Sequence, residues 1–572
     1  MHDLKWWQKA VFYQIYPRSF ADGTGDGIGD FPGITAHLDY IVNLGVNALW
    51  LSPCFPSPQY DVGYDISDYL DIDPDYGTLS DFLSFLDAAH QRSIQVILDL
   101  VLNHTSHLHP WFIESSSSRD NPKRNWYIWQ DGKDGEPPNN WESSFGGSAW
   151  EHDPRTDQYY YHFFFKEQPD LNWRNPEVKD AMWDVVRYWL KLGVDGFRLD
   201  AIATIYEDEK LLNHTAPMGL IQLQAAYMAA QTDPEKQAVM DLGESLFQYQ
   251  TQLPELHDLM KELRKVVDEF PDKVLIGEED RIEYYGNGTD ELHLIFNFPL
   301  GRTKQLTPEW IRKNQVERLG ALPQEAWPCN TLGNHDQSRV WTHYAEPGYE
   351  LERARLSLAL ILTLKGTPFL YNGEEIGMTD YYLEDPSLFR DNISTYIYRT
   401  STEQFGLPSQ EAIKIAALEG RDKNRTPMQW SDTPNAGFSP DGIQTWLPVN
   451  PNYAQGINVT NQEKAPGSLL KFYQRMVNLR LSTPALIGGQ YQTFHDEAKD
   501  YLAFLRTEEK YGQSVLVVLN MSNKPLNLSF QVTAGQVECL FSSVERTRKL
   551  EDPSRIKFAP FEIYIGELSK TV

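Results

Sequence analysis

The chain is poor in cysteine: Cys54, Cys329 and Cys539 are three in 572 residues, widely spaced and odd in number. That pattern excludes a disulfide framework and makes a reducing cytoplasm the expected home. Long apolar runs are missing too. No stretch approaches the about 18 consecutive apolar residues of a membrane-spanning helix, so none is expected. The polar start, Met1 to Lys9, runs into a strand-like Ala10–Tyr16 and leaves no room for a signal peptide. Basic residues are in the minority, 51 Lys and Arg against 80 Asp and Glu, and the net charge is −29. This argues against nucleic acid or an anionic membrane as a partner and leaves a neutral small molecule open. There is no internal repeat and no low-complexity tract longer than Ser115–Ser118.

What is present is a chain too long for one core, so two or three domains are expected. Eight short β-rich runs punctuate the first 375 residues, at 10–16, 46–51, 94–99, 194–199, 274–277, 291–296, 327–332 and 367–371. Helical patterns lie between several of them. Ser80 can cap a helix whose Phe82, Phe85, Leu86 and Ala89 share one face. Pro176 suits the first turn of another, with Val178, Ala181, Met182, Val185 and Trp189 at helical spacing and Gly193 as its stop. A third, around 350–365, ends at Gly366. Strand–helix alternation implies a parallel sheet, and eight such strands imply an α/β fold, a (β/α)₈ TIM barrel. A doubly wound open sheet is the alternative, without a Gly-rich phosphate loop in its favour. Two intervals exceed a simple βα loop: 104–171, an inserted subdomain after strand 3, and 375–432, an excursion after strand 8. From about 490 the pattern alternates, as in Tyr501–Arg506, which gives a C-terminal antiparallel β domain of sandwich type. The expected domains are 1–103 with 172–489, 104–171, and 490–572.

Three acids each follow a short apolar run: Asp200 in Gly-Phe-Arg-Leu-Asp, Glu278 in Val-Leu-Ile-Gly-Glu and Asp336 in Leu-Gly-Asn-His-Asp. Barrel enzymes place their chemistry at the C-terminal ends of strands. Carboxyl groups converging there serve glycoside chemistry, which needs one as nucleophile and one as acid. Arg198, two residues before Asp200, points the same way along the strand and would keep Asp200 ionised. Any one such acid is more often a helix cap or a surface charge; three after apolar strands are harder to explain so. Sixteen Trp and thirty Tyr suit sugar stacking, although most belong to the core. His104 ends strand 3 and could donate to a sugar hydroxyl, or join His107 and His109 in a metal cluster, though no HExxH and no nearby acids support the metal. Asp22, Thr24, Asp26, Ile28 (by its carbonyl) and Asp30 alternate with glycine, like the start of a calcium loop. A Ca²⁺ or Mg²⁺ there is an expectation, a Gly-rich turn the alternative; no organic cofactor is indicated.

Together these segments resemble the α-amylase superfamily, glycoside hydrolase family 13. The signature segments stand as Asp99–His104, Gly196–Ala201, Val274–Glu278 and Leu332–Asp336. The resemblance extends through Gln14–Phe20, Gly63–Tyr69, Gln168–Asn172, Gly373–Met378 and Arg425–Trp430, over most of the first 430 residues. Within the superfamily the chain is similar to the α-glucosidase branch, with Asn140–Trp150 and Gly286–Thr289 looking maltase-like.

The resemblance implies Asp200 as nucleophile, Glu278 as acid/base and Asp336 as transition-state stabiliser. It implies a subsite for the non-reducing glucose formed by Tyr64, Asp65, His104, Arg198, His335 and Arg421, with Asp65 and Arg421 clamping hydroxyls. Phe145, Phe164 and Gln168 match positions near the entrance, where core packing is the rival role. Glu279 is expected to point away from Glu278 by strand alternation. The implied enzyme is an exo-acting retaining α-glucosidase, with Ala201 after the nucleophile suggesting α-1,4 rather than α-1,6 bonds. The other readings are an oligo-1,6-glucosidase, or a transferring relative such as a trehalose synthase or a sucrose-acting enzyme. The partner is a small oligosaccharide, and a monomer or weak homo-oligomer is expected.

Overall fold

Eight short apolar runs form the parallel strands β1 (Phe12–Ile15), β2 (Ala48–Leu51), β3 (Gln95–Val101), β4 (Gly196–Asp200), β5 (Val274–Gly277), β6 (Leu294–Ile295), β7 (Cys329–Asn330) and β8 (Thr367–Tyr371). The structure is a computed structural model that describes residues 4–532, 534–546 and 550–569. The expected limits at 1–3 and 570–572 therefore lie outside the described residues. The strands pair in the order β7-β8-β1-β2-β3-β4-β5-β6. Between β6 and β7 the ring is bridged by side chains: Asn297 Nδ2 donates to Asn330 Oδ1 at 3.0 Å. Every residue of β1, β2, β4, β5 and β8 is buried, because inner side chains fill the barrel and helices cover its outside.

The helix on 176–192 forms as expected, with Asn175 as N-cap and Gly193, at φ 110°, as its left-handed stop. The helix expected from Ser80 starts earlier, at Leu79. Thr78 is the cap, because Asp81 stands three residues on and returns a bond to the Thr78 amide at 2.8 Å. The helix expected to reach Gly366 ends at Thr363.

The insertion after β3 carries a small antiparallel sheet of Trp129–Gln130, Gln158–Tyr161 and Trp150–Asp153. The excursion after β8 carries a helical hairpin, Asn392–Glu403 and Ser409–Glu419. A third long interval, between β4 and β5, was not signalled as an excursion. It holds two helices, Leu220–Ala229 and Asp233–Phe247, ahead of the barrel helix Glu255–Val267. A helical insertion keeps the strand–helix alternation intact and so hides in the pattern.

The C-terminal region is antiparallel as expected, a six-stranded sheet with a two-stranded sheet over 526–528 and 556–558. Ala503, Val518 and Tyr564 of one sheet pack with Ile556 and Phe558 of the other, which makes a sandwich core. It is fastened to the barrel by Arg506, which is fully buried and donates to Thr363 O at 2.6 Å and Gly489 O at 2.9 Å. No carboxylate pairs with it among the described residues, and burial pushes its guanidinium down to about 9. Arg506→Met should lower the urea midpoint by the equivalent of about 2–3 kcal/mol, since it leaves buried carbonyls without a donor. An unchanged midpoint would show that this arginine is not what joins the two parts.

Candidate active site

The C-terminal ends of β3, β4 and β5 bring Asp99, Arg198, Asp200 and Glu278 together. One guanidinium serves three carboxylates. Arg198 Nη1 lies 2.6 Å from Asp99 Oδ1 and 2.7 Å from Asp200 Oδ1, and Nη2 lies 2.7 Å from Glu278 Oε2. Ala201 takes a left-handed conformation, φ 42°, and its amide donates to Glu278 Oε2 at 2.9 Å. Burial raises all three acids, Asp99 to about 6, Asp200 to about 7 and Glu278 to about 8. A single positive charge cannot offset three buried negative ones, so the cluster retains a proton, and Glu278 holds it most tightly.

Asp336, past β7, is the opposite case. Burial opposes its charge, but His335, Arg425 and Arg421 overcome it and hold the carboxyl well below the usual range. The His335 ring is itself driven far down by burial and is neutral, so the two guanidiniums carry the effect. Arg425 Nη2 reaches Asp336 Oδ1 at 2.6 Å and Arg421 Nη1 at 3.4 Å. The pocket thus holds one carboxyl kept protonated and one kept ionised by different surroundings.

Most expected sugar-contacting residues meet here. Asp200, Glu278 and Asp336 line one cavity of about 420 Å³ with Tyr64, His104, Phe145, Phe164 and Arg421. Tyr64 stacks on His335 with centroids 5.5 Å apart, and its hydroxyl contacts His335 Nε2. His104 is kept neutral by burial, near 3. Gln168 stands behind it, with its amide 2.9 Å from His104 Nε2 and 3.1 Å from Asp61 Oδ2.

Asp65 does not take the clamp position expected of it. Its carboxylate is fully buried and accepts from Ser57 Oγ and the amides of Tyr60 and Asp61 at 2.8–2.9 Å, holding the turn. Asp61 lies in the cavity wall instead and pairs with Arg421 Nη2 at 2.7 Å. Two acids four apart in one turn could not be ranked by sequence. Glu279 makes no contact with Glu278 among the described residues; it lines the cavity, and its Oε1 accepts from the Asp280 and Arg281 amides. The chain leaves β5 at Gly277, so strand alternation no longer applies there. Arg425 was legible only as part of a motif, and Asp391, which grips Arg421, carried no signal.

The glycine-rich loop closes on itself. Asp22 accepts from the amides of Gly25 and Gly27 at 2.5 and 2.8 Å, and Asp26 from Ile28 at 2.9 Å. Asp30 accepts from Gly23, Thr24 and Gly33, the last as cap of the helix Phe31–Ala36. Among the described residues no three His, Cys, Asp or Glu side chains gather as a metal site, which also removes the His104, His107 and His109 cluster. The loop's carboxylates order its own amides, a contact that leaves lone pairs on each carboxylate oxygen.

The alpha amylase catalytic-domain family model matches residues 14–489. The chain is 37% identical to an oligo-1,6-glucosidase of Parageobacillus thermoglucosidasius over 584 aligned positions, covering 98% of this chain and 99% of the relative. It is 35% identical to an alpha-glucosidase of Pediococcus pentosaceus, covering 99% of both. Among solved structures, the trehalulose synthase MutB from Pseudomonas mesoacidophila MX-45 superposes with a TM-score of 0.87 at 34% identity, covering 99% of this chain and 100% of that one.

Proposed function

Because the chain belongs to the α-amylase superfamily, in its glucosidase branch, and is a glycoside hydrolase, we propose that it is an exo-acting retaining α-glucosidase of short α-glucosides with a preference for α-1,4 bonds. The observation that carries this reading is the Arg198 bridge. One guanidinium touching both Asp200 and Glu278 suits the short separation of a retaining pair, about 5–5.5 Å. Glu278, holding the cluster's proton, gives it to the glycosidic oxygen while Asp200 attacks the anomeric carbon from the opposite face. The glycosidic bond breaks and a glucosyl ester forms on Asp200. Glu278, now ionised, takes a proton from water as the water oxygen bonds to the anomeric carbon and the ester to Asp200 breaks, which releases α-glucose and restores both groups. Ionised Asp336 favours the positive charge that develops on the sugar ring between the two steps.

Exo action is supported by the Asp61–Arg421 ion pair, both members of which line the cavity. Linkage rests on Ala201, whose small side chain borders the cavity; one methyl-scale difference is worth about 1–3 kcal/mol of discrimination. Among the described residues no helix is long and apolar enough to cross a membrane, and the three thiols are free, which suits a reducing compartment.

The test is product chromatography after separate incubation with maltose, isomaltose and sucrose. Glucose alone, formed faster from maltose, is the expected result. Faster cleavage of isomaltose would replace the linkage reading with that of an oligo-1,6-glucosidase. An isomerised disaccharide from sucrose would favour the transferring reading, in keeping with the name of the solved neighbour.

A further inference from the structure

Arg421 reaches the cavity from the excursion after β8, and its direction is set by a carboxylate on the far side from the sugar. Asp391 is fully buried. Its Oδ2 accepts from Arg421 Nε at 3.0 Å and from the Arg421 amide at 2.9 Å, and its Oδ1 accepts from Nη2 at 2.8 Å. This side-on grip takes up one edge of the guanidinium. It leaves Nη1 and the other Nη2 proton for Asp336 and Asp61 in the cavity wall. Asp391 also caps the helix Asn392–Glu403 by accepting from the Ile393 amide at 3.1 Å, and its own amide donates to Asp422 at 3.1 Å. The residues between Asp391 and Arg421 are the helical hairpin, so this contact ties the two ends of the hairpin to the sugar pocket.

We propose that Asp391 is a positioning residue for substrate binding. It holds Arg421 edge-on so that the carboxylates of Asp61 and Asp336 keep lone pairs to accept hydroxyl protons of the non-reducing sugar. Without it the guanidinium has two carboxylates left and both face the cavity. It would then swing fully onto them and occupy the acceptors the sugar needs. The same carboxylate makes the hairpin part of the binding site, although neither of its helices carries a reacting group.

The cap and the grip can be separated. Asn and Ser are both good helix caps, so Asp391→Asn and Asp391→Ser retain the Ile393 contact while losing the charge and the side-on pair. On p-nitrophenyl α-glucoside both are expected to raise KM by about tenfold or more, as for loss of a charge-assisted bond, with kcat changed by less than threefold. Inhibition by glucose should weaken by the same factor. In an Arg421→Ala background, Asp391→Asn should add no further loss, because the residue acts through the arginine. The proposal rests on the glucosidase reading, and the two fail differently. If the parent protein does not cleave the aryl glucoside, that reading fails. If it does, an unchanged KM in Asp391→Asn, or a loss that adds fully to that of Arg421→Ala, overturns the role of Asp391 alone.

Discussion

Asp200→Ala will lower kcat on p-nitrophenyl α-glucoside by about 10⁴-fold or more, the scale seen when a covalent nucleophile is removed. The fold should survive, because Arg198 keeps Asp99 and Glu278 as partners when Asp200 is gone. The stereochemistry of rescue makes the test specific. Azide added to Asp200→Ala enters the space of the missing carboxylate and attacks from that side, so the product is the β-glucosyl azide. Activity within tenfold of the parent would remove Asp200 from the mechanism. An α-glucosyl azide from this variant would place the nucleophile elsewhere.

The second large effect belongs to Glu278. Glu278→Gln should cut turnover of maltose by about 10²–10⁴-fold, the usual worth of a positioned general acid. The loss should be much smaller for an aryl glucoside, whose phenolate departs without a proton. Azide should now give the α-glucosyl azide, because it intercepts the ester on Asp200 from the side that water uses. The pH profile carries the same assignment. Burial raises Glu278 to about 8, and the acid works while protonated, so activity persists below that value and falls as pH climbs through it. On the acid side it falls as the Arg198 cluster takes up a further proton and Asp200 loses its charge. In Glu278→Gln the alkaline limb should vanish. If it persists with its position unchanged, another group sets it.

How far the sequence reached can be judged from particular residues. The eight strands were legible because a barrel strand is apolar on both faces and short, and β5 and β8 fall where expected, at 274–277 and 367–371. The three acids were legible because each sits at or past a strand end, a one-dimensional position that the barrel converts into a shared cavity. The extra helices at 220–247 were not, since helical periodicity is the same in an insertion as in a barrel helix. The Ser80 cap was misplaced because two adjacent hydroxyl residues compete and the acid three residues after Thr78 settles it.

The sequence by itself determined the parallel barrel, the inserted and C-terminal parts, and the three acids with Arg198 beside them, because all of these depend on local patterns along the chain. Tertiary structure decided what depends on distance through space. It set Asp61 in the cavity wall against Arg421 and Asp65 inside the turn, although both are acids of the same loop. It joined Asp391 to an arginine thirty positions away, and Arg425 to Asp336 across the barrel mouth. It also divided the acids by charge state. Glu278 keeps a proton because burial raises it and one guanidinium cannot offset three carboxylates, and Asp336 loses its proton because the two guanidiniums facing it outweigh burial. A carboxyl group's proton affinity is set by the charges within a few ångströms of it, and those neighbours come from strands and loops that only the fold brings together.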